Sequence, residues 1–404
     1  MGANALIEDI RADVVILGGG ITGLWLLAHL RARGYAAVLC EARALGAGQT
    51  LCSQGIIHGG LKYALGGALS EASRALTHMP ARWRDCLEGA RTPDLRGARL
   101  LSAHQYLVSG WRLAGFLASR MLQGRVNRVD SGQVPEPFAA ALGPSARGGV
   151  YQLDEPVVDV RSVLAALGHA HADALLAVDA DGTRLLQDAG DVTGLEVRDR
   201  EGRRLRILGG HVVLCAGAGN EGLGRMIPSG AAPMQRRPLC MVMLRGALPE
   251  LYAHWLGTGA APRVTVTSHR DARGTPVWYV GGELAESGVA REPEAQVRRA
   301  REELSRLVPG VDLASCAGAV LSVDRAEGRH ASGQRPDGPV LARAGAVTQV
   351  WPTKLAFAPL VAEQVEARLS LGGMRPGRCP MPSTQGWPRP ALAPLPWDEA
   401  RAWC

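Results

Sequence analysis

The sequence contains almost no lysine, since Lys62 and Lys354 are the only lysines among its 45 basic residues. Such a bias is typical of a genome whose codon usage favours arginine, and chance alone can leave two lysines behind. An ammonium group is nevertheless more compact than a guanidinium and shifts its pKa more readily on burial. Both positions therefore become candidates for function if independent motifs place them at a site.

Other absences exclude several classes of protein. No stretch reaches about 18 uninterrupted apolar residues, and the N-terminus lacks the basic segment of a secretory signal. The eight cysteines include no CxxC pair and no close histidine, so we expect neither disulfides nor a metal site. The sequence thus predicts a cytoplasmic protein without a transmembrane segment, and peripheral attachment to the inner membrane stays open.

The length and charge set broader limits. A chain of 404 residues is too long for one simple core, so we expect two domains or one domain with an inserted lobe. The formal net charge of +7 is spread without a basic block or interleaved aromatic residues. This charge is compatible with three kinds of binding partner: an anionic substrate, a nucleic acid or an acidic membrane surface.

The first motif is a strand, a glycine turn and a helix. DVVILGG at 13–19 is an apolar, β-branched run typical of a buried parallel strand. Gly18, Gly20 and Gly23 then form GxGxxG ahead of a segment with helical periodicity, and a second strand ends in Glu41. In this order the glycines permit a tight turn and let the backbone approach the cofactor closely, and the start of the helix holds a pyrophosphate. The carboxylate of Glu41 accepts hydrogen bonds from ribose hydroxyls. The pattern predicts dinucleotide binding.

The segments that follow favour FAD over NAD. An NAD-binding fold normally continues from Glu41 into another helix and strand, whereas this chain enters a long glycine-rich segment at 42–63. Such a segment suits backbone that runs alongside an extended cofactor. The strand VVLCAGAG at 212–219 ends in a second turn of small residues. No arginine occupies position 41 itself, which argues against a 2′-phosphate, although Arg43 is close.

Together these motifs resemble the FAD-dependent oxidoreductases of the D-amino-acid oxidase superfamily. The resemblance is carried by VVILGGGITG with Glu41, by the strand at 212–219, and by QRPDGPVL…WPTKLAFAPLVAEQV within 334–365. SQGIIHGGLKY at 53–63 is most similar to the glycerol-3-phosphate dehydrogenase and L-2-hydroxyglutarate oxidase branch. The resemblance implies an α/β fold in which a Rossmann-like FAD-binding domain of the glutathione-reductase type carries an inserted α+β substrate domain on an antiparallel sheet.

This resemblance also divides the chain. We predict a discontinuous FAD-binding domain at 1–75, 151–224 and 321–371. A substrate domain is predicted at 76–150 and 225–320, and a C-terminal tail at 372–404. The tail has seven prolines between 376 and 396 and three tryptophans. It is expected to run extended and to dock on the body or on a partner. Elsewhere, periodicity predicts helices at 66–91 and 291–310 and strands within 235–283.

The resemblance further implies which residues hold FAD. They are Gly18, Gly20, Ile21, Thr22, Gly23, Glu41, Ala42, Arg43, Gln49, Thr50, Ser53, Gln54, Gly55, Ile56, Ile57, Ala216, Gly217, Pro352, Thr353, Lys354 and Leu355. A helix that starts near Thr353 would point its N-terminus at the flavin pyrimidine edge, where reduced flavin carries negative charge. Lys354 would lie one residue into that helix, and Pro359 would kink it.

The candidate catalytic residues are His58, Lys62, Arg335 and Lys354. His58 is the histidine of the flavin-facing loop and suits a general base, or alternatively a residue that only positions the ring. Lys62 is expected near the flavin edge or the substrate face. Arg335 matches the position at which amino-acid-oxidising relatives hold a substrate carboxylate, a role that suits a guanidinium.

The predicted function is an FAD-dependent oxidoreductase. Its substrate would be a small anionic compound, a 2-hydroxy acid or a glycerol-3-phosphate-like molecule, oxidised by hydride transfer to flavin N5. The alternatives are an amino-acid or amine oxidase or dehydrogenase of the same superfamily, and a flavin subunit of a larger electron-transfer complex that binds its partner through the tail. Oxygen, a quinone or a protein could accept the electrons. No nucleic acid is expected, because no RNA-binding module accompanies these motifs.

Overall fold

A computed structural model describes residues 8–60, 71–108, 126–129, 134, 136–142, 149–257, 262–329, 336–400 and 402–404. Two of the predicted catalytic residues, Lys62 and Arg335, lie outside these residues, as do the first five residues of the predicted helix at 66–91.

The strands, numbered in chain order, are β1 Glu8–Leu17, β2 Ala37–Glu41, β3 Leu100–Ser102, β4 Gln105–Val108, β5 Val126–Val129, β6 Val150–Leu153, β7 Val157–Val158, β8 Leu175–Ala177, β9 Arg184–Asp188, β10 Asp191–Arg198, β11 Arg204–Leu214, β12 Met234–Arg245, β13 Tyr252–Leu256, β14 Pro262–Arg270, β15 Pro276–Gly281, β16 Ala317–Gly328, β17 Val340–Ala344 and β18 Val347–Trp351. The α-helices are Ile21–Ala32, Glu71–Leu76, Met79–Leu87, Glu136–Leu142, Val160–Ala170, Asn220–Gly224, Glu283–Ser287, Pro293–Leu307, Ala358–Leu371 and Pro396–Glu399. Short 3₁₀ turns are Ala172–Ala174, Gly217–Gly219, Gly288–Ala290 and Leu355–Phe357.

The first sheet has the order β17-β18-β11-β1-β2-β8, and β10 and β9 extend it from β11. β1 pairs in parallel with both β11 and β2. Its apolar run is continuous because both faces are covered. Val14 and Ile16 pack in a core with the helices Ile21–Ala32 and Ala358–Leu371, whereas Val15 belongs to a core on the opposite face.

The second sheet has the order β16-β12-β15-β14-β13-β4-β6-β5 and is antiparallel except where β13 meets β4. One face packs on the helix Pro293–Leu307 through residues such as Val264 and Val266. Residues between them in the alternation, such as Thr265, lie on the opposite face. The predicted architecture, a Rossmann-like α/β domain together with a domain on an antiparallel sheet, is confirmed, and the first sheet is mixed because β9, β10 and β17 pair antiparallel.

The predicted elements agree in kind with those of the structure. The predicted strands within 235–283 and the helix at 291–310 are confirmed. The domain boundaries stay a prediction. Two of the predicted boundaries, 150/151 and 320/321, fall inside β6 and β16, which both belong to the second sheet. The helix Met79–Leu87 packs in the core of the first sheet. We therefore propose that the substrate domain starts after this helix and includes both strands entirely.

The helix predicted near Thr353 differs in detail. A 3₁₀ turn, Leu355–Phe357, precedes the α-helix, and Lys354 is extended at the N-cap of this turn rather than inside a helix. Pro359 occupies the first turn of the α-helix, where a backbone N–H has no intrahelical partner in any case. The prediction that Pro359 kinks the helix was therefore wrong.

The C-terminal tail docks on the body of the protein. The Leu45 amide donates to the carbonyl of Ala391 in the tail at 2.8 Å, and the amide of Ala393 donates to the Leu45 carbonyl at 3.1 Å. The indole of Trp387 donates to the carbonyl of Ala177, and that of Trp397 donates to the carbonyl of Arg270. The predicted docking on the body is confirmed. In the described residues, no helix has the length and apolar character that crossing a bilayer requires.

We predict that Trp387 anchors the tail. Its side chain is 7% exposed, and its indole N–H donates to the Ala177 carbonyl at 2.9 Å. Trp387→Ala should lower the free energy of unfolding by about 3 kcal/mol or more, because it leaves a cavity and an unpaired carbonyl. Urea denaturation of the holoenzyme measures the change. Met381 lies in the same tail and is 49% exposed, so Met381→Ala is the matched control. Equal, small effects of both substitutions would contradict the anchoring role.

Candidate functional site

The glycine turn after β1 lies against the end of β11. Gly18 has a φ of +112°, and a Cβ built on it would approach the Cys215 carbonyl to 2.7 Å. A Cβ on Gly23 would collide with the Gly18 oxygen, so the helix can approach the strand this closely only with glycine there. The first contact follows from the parallel register of β1 and β11, which pairs Leu17 with Leu214.

The carboxylate of Glu41 is fixed at the end of β2. Its Oε2 accepts from the Gly19 amide at 2.5 Å, and its Oε1 accepts from the Arg43 amide at 2.7 Å. The Thr50 hydroxyl accepts from the Ile21 amide at 3.1 Å, which attaches the glycine-rich segment to the start of the helix. A fixed acceptor beside an open glycine turn suits a ribose and a pyrophosphate.

One continuous cavity of about 630 Å³ runs from this turn to the second sheet. The predicted site residues that line it are Gly18, Gly20, Ile21, Thr22, Glu41, Arg43, Gln49, Thr50, Ser53, Gln54, Gly55, Ile56, His58, Ala216, Gly217, Pro352, Thr353, Lys354 and Leu355. Gly23, Ala42 and Ile57 do not line it. Gly23 supports the turn from the helix side, and Ile57 is fully buried in the core of the first sheet.

The glycine-rich segment is held between the two sheets. The Gln54 amide donates to the carbonyls of Tyr279 and Thr265, at 2.9 and 3.3 Å. In return, the Tyr279 hydroxyl donates to the Cys52 carbonyl at 2.9 Å. Gln49 accepts from the Ala326 amide at 3.0 Å. The wall of the cavity is therefore attached to three strands of the second sheet.

Sequence reasoning missed Asn220, which is fully buried behind the second small-residue turn. Its Oδ1 accepts from the Ala216 amide at 2.9 Å, and its Nδ2 donates to the carbonyls of Leu214 and Val350, both at 3.1 Å. It thus sets the shape of the turn that closes this end of the cavity. In the sequence, its position directly after the small-residue turn AGAG at 216–219 could have marked it as a site residue.

At the opposite end of the cavity, His58 meets a buried carboxylate. His58 Nδ1 lies 3.2 Å from Glu155 Oε2, and the Gly59 amide donates to Glu155 Oε1 at 2.7 Å. The side chain of Glu155 is 6% exposed, against 37% for His58. Burial raises the pKa of Glu155, but the hydrogen bond and charge of His58, the charge of His254 and the Gly59 amide outweigh it, so the pKa lies below its ordinary value.

A second histidine faces the same carboxylate. The rings of His254 and His58 are stacked, with centroids 6.0 Å apart and an angle of 22° between their planes. His254 is buried, and its Nδ1 lies 2.8 Å from the Thr265 hydroxyl. Neither Glu155 nor His254 was predicted, because both lie far along the chain from His58 and neither belongs to a motif.

The turn before the last long helix also lines the cavity. Thr353 has a φ of +62°, a left-handed conformation that is uncommon for a residue other than glycine. The amide of Lys354 donates to the Pro352 carbonyl at 2.8 Å, and Trp83 donates to the Ala356 carbonyl at 3.1 Å. Such strained turns cluster at ligand-binding sites, where packing holds them in place.

The two ends of the cavity differ in chemistry. One end offers the glycine turn, whose backbone a ligand can approach closely, and the fixed carboxylate of Glu41. The other end offers a group of titratable side chains. A long cofactor with a nucleotide at one end and a reactive ring at the other fits this arrangement, and FAD is such a molecule.

Comparison with known proteins agrees with this description. Residues 13–356 match a family, DAO, described as FAD dependent oxidoreductase. Over 404 aligned residues the chain is 46% identical to a probable FAD-dependent oxidoreductase of Pseudomonas aeruginosa, covering 98% of this chain and 100% of that protein. The crystal structure of an FAD dependent oxidoreductase from that species superposes with a TM-score of 0.84 at 42% identity, covering 97% of this chain and 99% of the other.

Two more distant proteins are similar to the chain in sequence or in fold. Glycerol-3-phosphate dehydrogenase 1 of Mycobacterium tuberculosis is 28% identical over 232 residues, which is 53% of this chain and 43% of that enzyme. Glycine oxidase of Geobacillus kaustophilus shares the fold, with a TM-score of 0.62 at 16% identity over 91% of this chain and 99% of the other. The predicted superfamily and cofactor are thereby confirmed. The chain belongs to the DAO family of FAD-dependent oxidoreductases.

Proposed function

We propose that this oxidoreductase acts on a small anionic hydroxy compound, a 2-hydroxy acid or a glycerol-3-phosphate-like molecule, and that His58 takes the hydroxyl proton. The observation that carries the proposal is the contact of 3.2 Å between His58 Nδ1 and Glu155 Oε2 in the wall of the cavity. A histidine held by a buried carboxylate is the arrangement expected of a general base.

The chemistry of an alcohol demands such a base. FAD, when bound, supplies the acceptor for the hydride that leaves the substrate carbon. The hydroxyl proton has to leave as well, and the imidazole of His58 has a ring nitrogen that can accept the proton and later release it. The remaining work of the protein is to hold the substrate hydroxyl next to the correct ring nitrogen.

Glu155 selects that nitrogen. Its pKa lies below the ordinary value, so it is ionised at neutral pH and accepts a hydrogen bond from Nδ1–H of His58. This tautomer leaves Nε2 of His58 to accept the proton from the substrate. The same carboxylate stabilises the imidazolium that forms, and the hydrogen bond from the Gly59 amide keeps the carboxylate in place.

The anionic character of the substrate is supported by cations in the same cavity. Arg325 and Lys354 both line it and place positive charge there, and Arg325 already pairs with a carboxylate, since its Nη2 lies 3.4 Å from Glu286 Oε1. The partial match to a glycerol-3-phosphate dehydrogenase points in the same direction. An amine substrate is the alternative, but the likeness to glycine oxidase reaches only 16% identity and supports the fold alone.

We predict that hydroxy compounds, rather than amino acids, reduce the enzyme. The purified holoenzyme is mixed anaerobically with a panel of 2-hydroxy acids, glycerol 3-phosphate and amino acids while flavin absorbance is followed. Bleaching by a hydroxy compound is expected, because the base is placed for an alcohol. Bleaching by amino acids alone would contradict the proposal and favour an amine oxidase or dehydrogenase.

A second prediction concerns His58 itself. His58→Gln should lower the rate of flavin bleaching by at least about a hundredfold, because it removes the proton acceptor. FAD content should stay unchanged, since the nucleotide end of the cavity is untouched. His169 is an exposed histidine on the helix Val160–Ala170, and His169→Gln is the matched control. Wild-type bleaching by the His58→Gln enzyme would remove His58 from the reaction.

A further inference from the structure

We propose that His58, Glu155 and His254 form a binding site for a divalent transition-metal ion such as Zn²⁺. One ligand atom from each of the three side chains can be chosen so that all three atoms lie within 4.8 Å of one another. Two imidazoles and a carboxylate are a ligand set that zinc and related ions prefer. Its members come from the glycine-rich segment, from the loop after β6 and from β13, so no spacing in the sequence reveals it.

The distances are close to those that a metal ion requires. With metal–ligand bonds of about 2.0–2.2 Å, two ligands of a tetrahedral ion lie about 3.3–3.5 Å apart. His58 Nδ1 and Glu155 Oε2, at 3.2 Å, already have this separation. One ligand atom from each side chain lies within 4.8 Å of the other two, so no pair of these atoms has to close by more than about 1.5 Å. A small side-chain rotation provides that movement.

Contacts behind two of the three side chains support the same assignment. A histidine that binds a metal through one nitrogen usually holds its other nitrogen against a hydrogen-bonding partner. His254 Nδ1 lies 2.8 Å from the Thr265 hydroxyl, and in our proposal this contact is the partner behind the ring and Nε2 is the metal ligand. Glu155 Oε1 is fixed by the Gly59 amide at 2.7 Å, which directs Oε2 towards the histidines.

The charge of the cluster favours a cation. A carboxylate binds a metal ion in its charged form and an imidazole binds it in its neutral form, so the three ligands together bring one negative charge to a bound cation. His58 is 37% exposed and lines the cavity, which gives an ion a route of entry. Three protein ligands leave a fourth position for water or for an oxygen of a small molecule.

Occupation of this site would stop turnover. A metal ion on Nδ1 of His58 forces the ring proton onto Nε2, so Nε2 can no longer accept a proton. Loss of activity therefore rests on the proposed function, whereas metal binding rests on the geometry alone. The two can fail separately, because binding is measured without any substrate.

The test is equilibrium dialysis of the holoenzyme against Zn²⁺ at neutral pH, followed by metal analysis. All proteins carry Cys404→Ser, because Cys404 is an exposed thiol that could bind zinc by itself. We expect one zinc ion per chain. His254→Ala should weaken binding at least about tenfold, and Thr265→Val should weaken it about tenfold because it removes the contact behind His254. His169→Ala is the control, and FAD content reports folding.

Each outcome decides the proposal. Tight binding that weakens in His254→Ala and Thr265→Val but not in His169→Ala supports it. Absence of zinc, or equal binding by all four proteins, overturns it. If His254→Ala loses FAD and is misfolded, Thr265→Val decides the question in its place. If the enzyme binds zinc but no hydroxy compound reduces it, the metal site stands and the proposed function fails.

Discussion

An ionised carboxylate cannot remain in a protein interior without partners, and the reacting end of the cavity is built around one. Glu155 is almost fully buried, and its pKa is nevertheless held below the ordinary value. Its partners come from both halves of the molecule: His58 and Gly59 from the segment after β2, and His254 from β13 of the second sheet. This one charge therefore links the segment after β2 to the second sheet, and our proposals for the base and for the cation site both rest on it.

The other end of the cavity depends on backbone instead of charge. Parallel pairing of β1 with β11 brings two strand ends together, and only glycine at position 18 leaves room beside Cys215. Glu41 and Asn220 then fix the surrounding amides and carbonyls. This difference between the two ends of the cavity suits FAD. A nucleotide is held by backbone that approaches it closely, whereas the reaction needs a side chain that exchanges a proton.

The sequence predicted best what depends on local pattern. The glycine turn, the strand at 212–219 and the helix at 291–310 are each encoded by neighbouring residues, so they could be identified without a structure. Glu155 and His254 could not, because their contact with His58 joins segments that are 97 or more residues apart and no motif marks them. The start of the last long helix was misplaced, since a left-handed Thr353 and a 3₁₀ turn are set by packing rather than by periodicity.

The central claim is that Glu155 acts through His58, and a double-mutant cycle tests it most directly. The rate of anaerobic flavin bleaching is measured for the wild type, for Glu155→Gln, for His58→Gln and for the double variant, all with FAD bound. We predict a strong effect of Glu155→Gln in the wild type and almost none once His58 is replaced, with a coupling free energy of about 1–3 kcal/mol. Independent, multiplicative effects of the two substitutions would contradict the account.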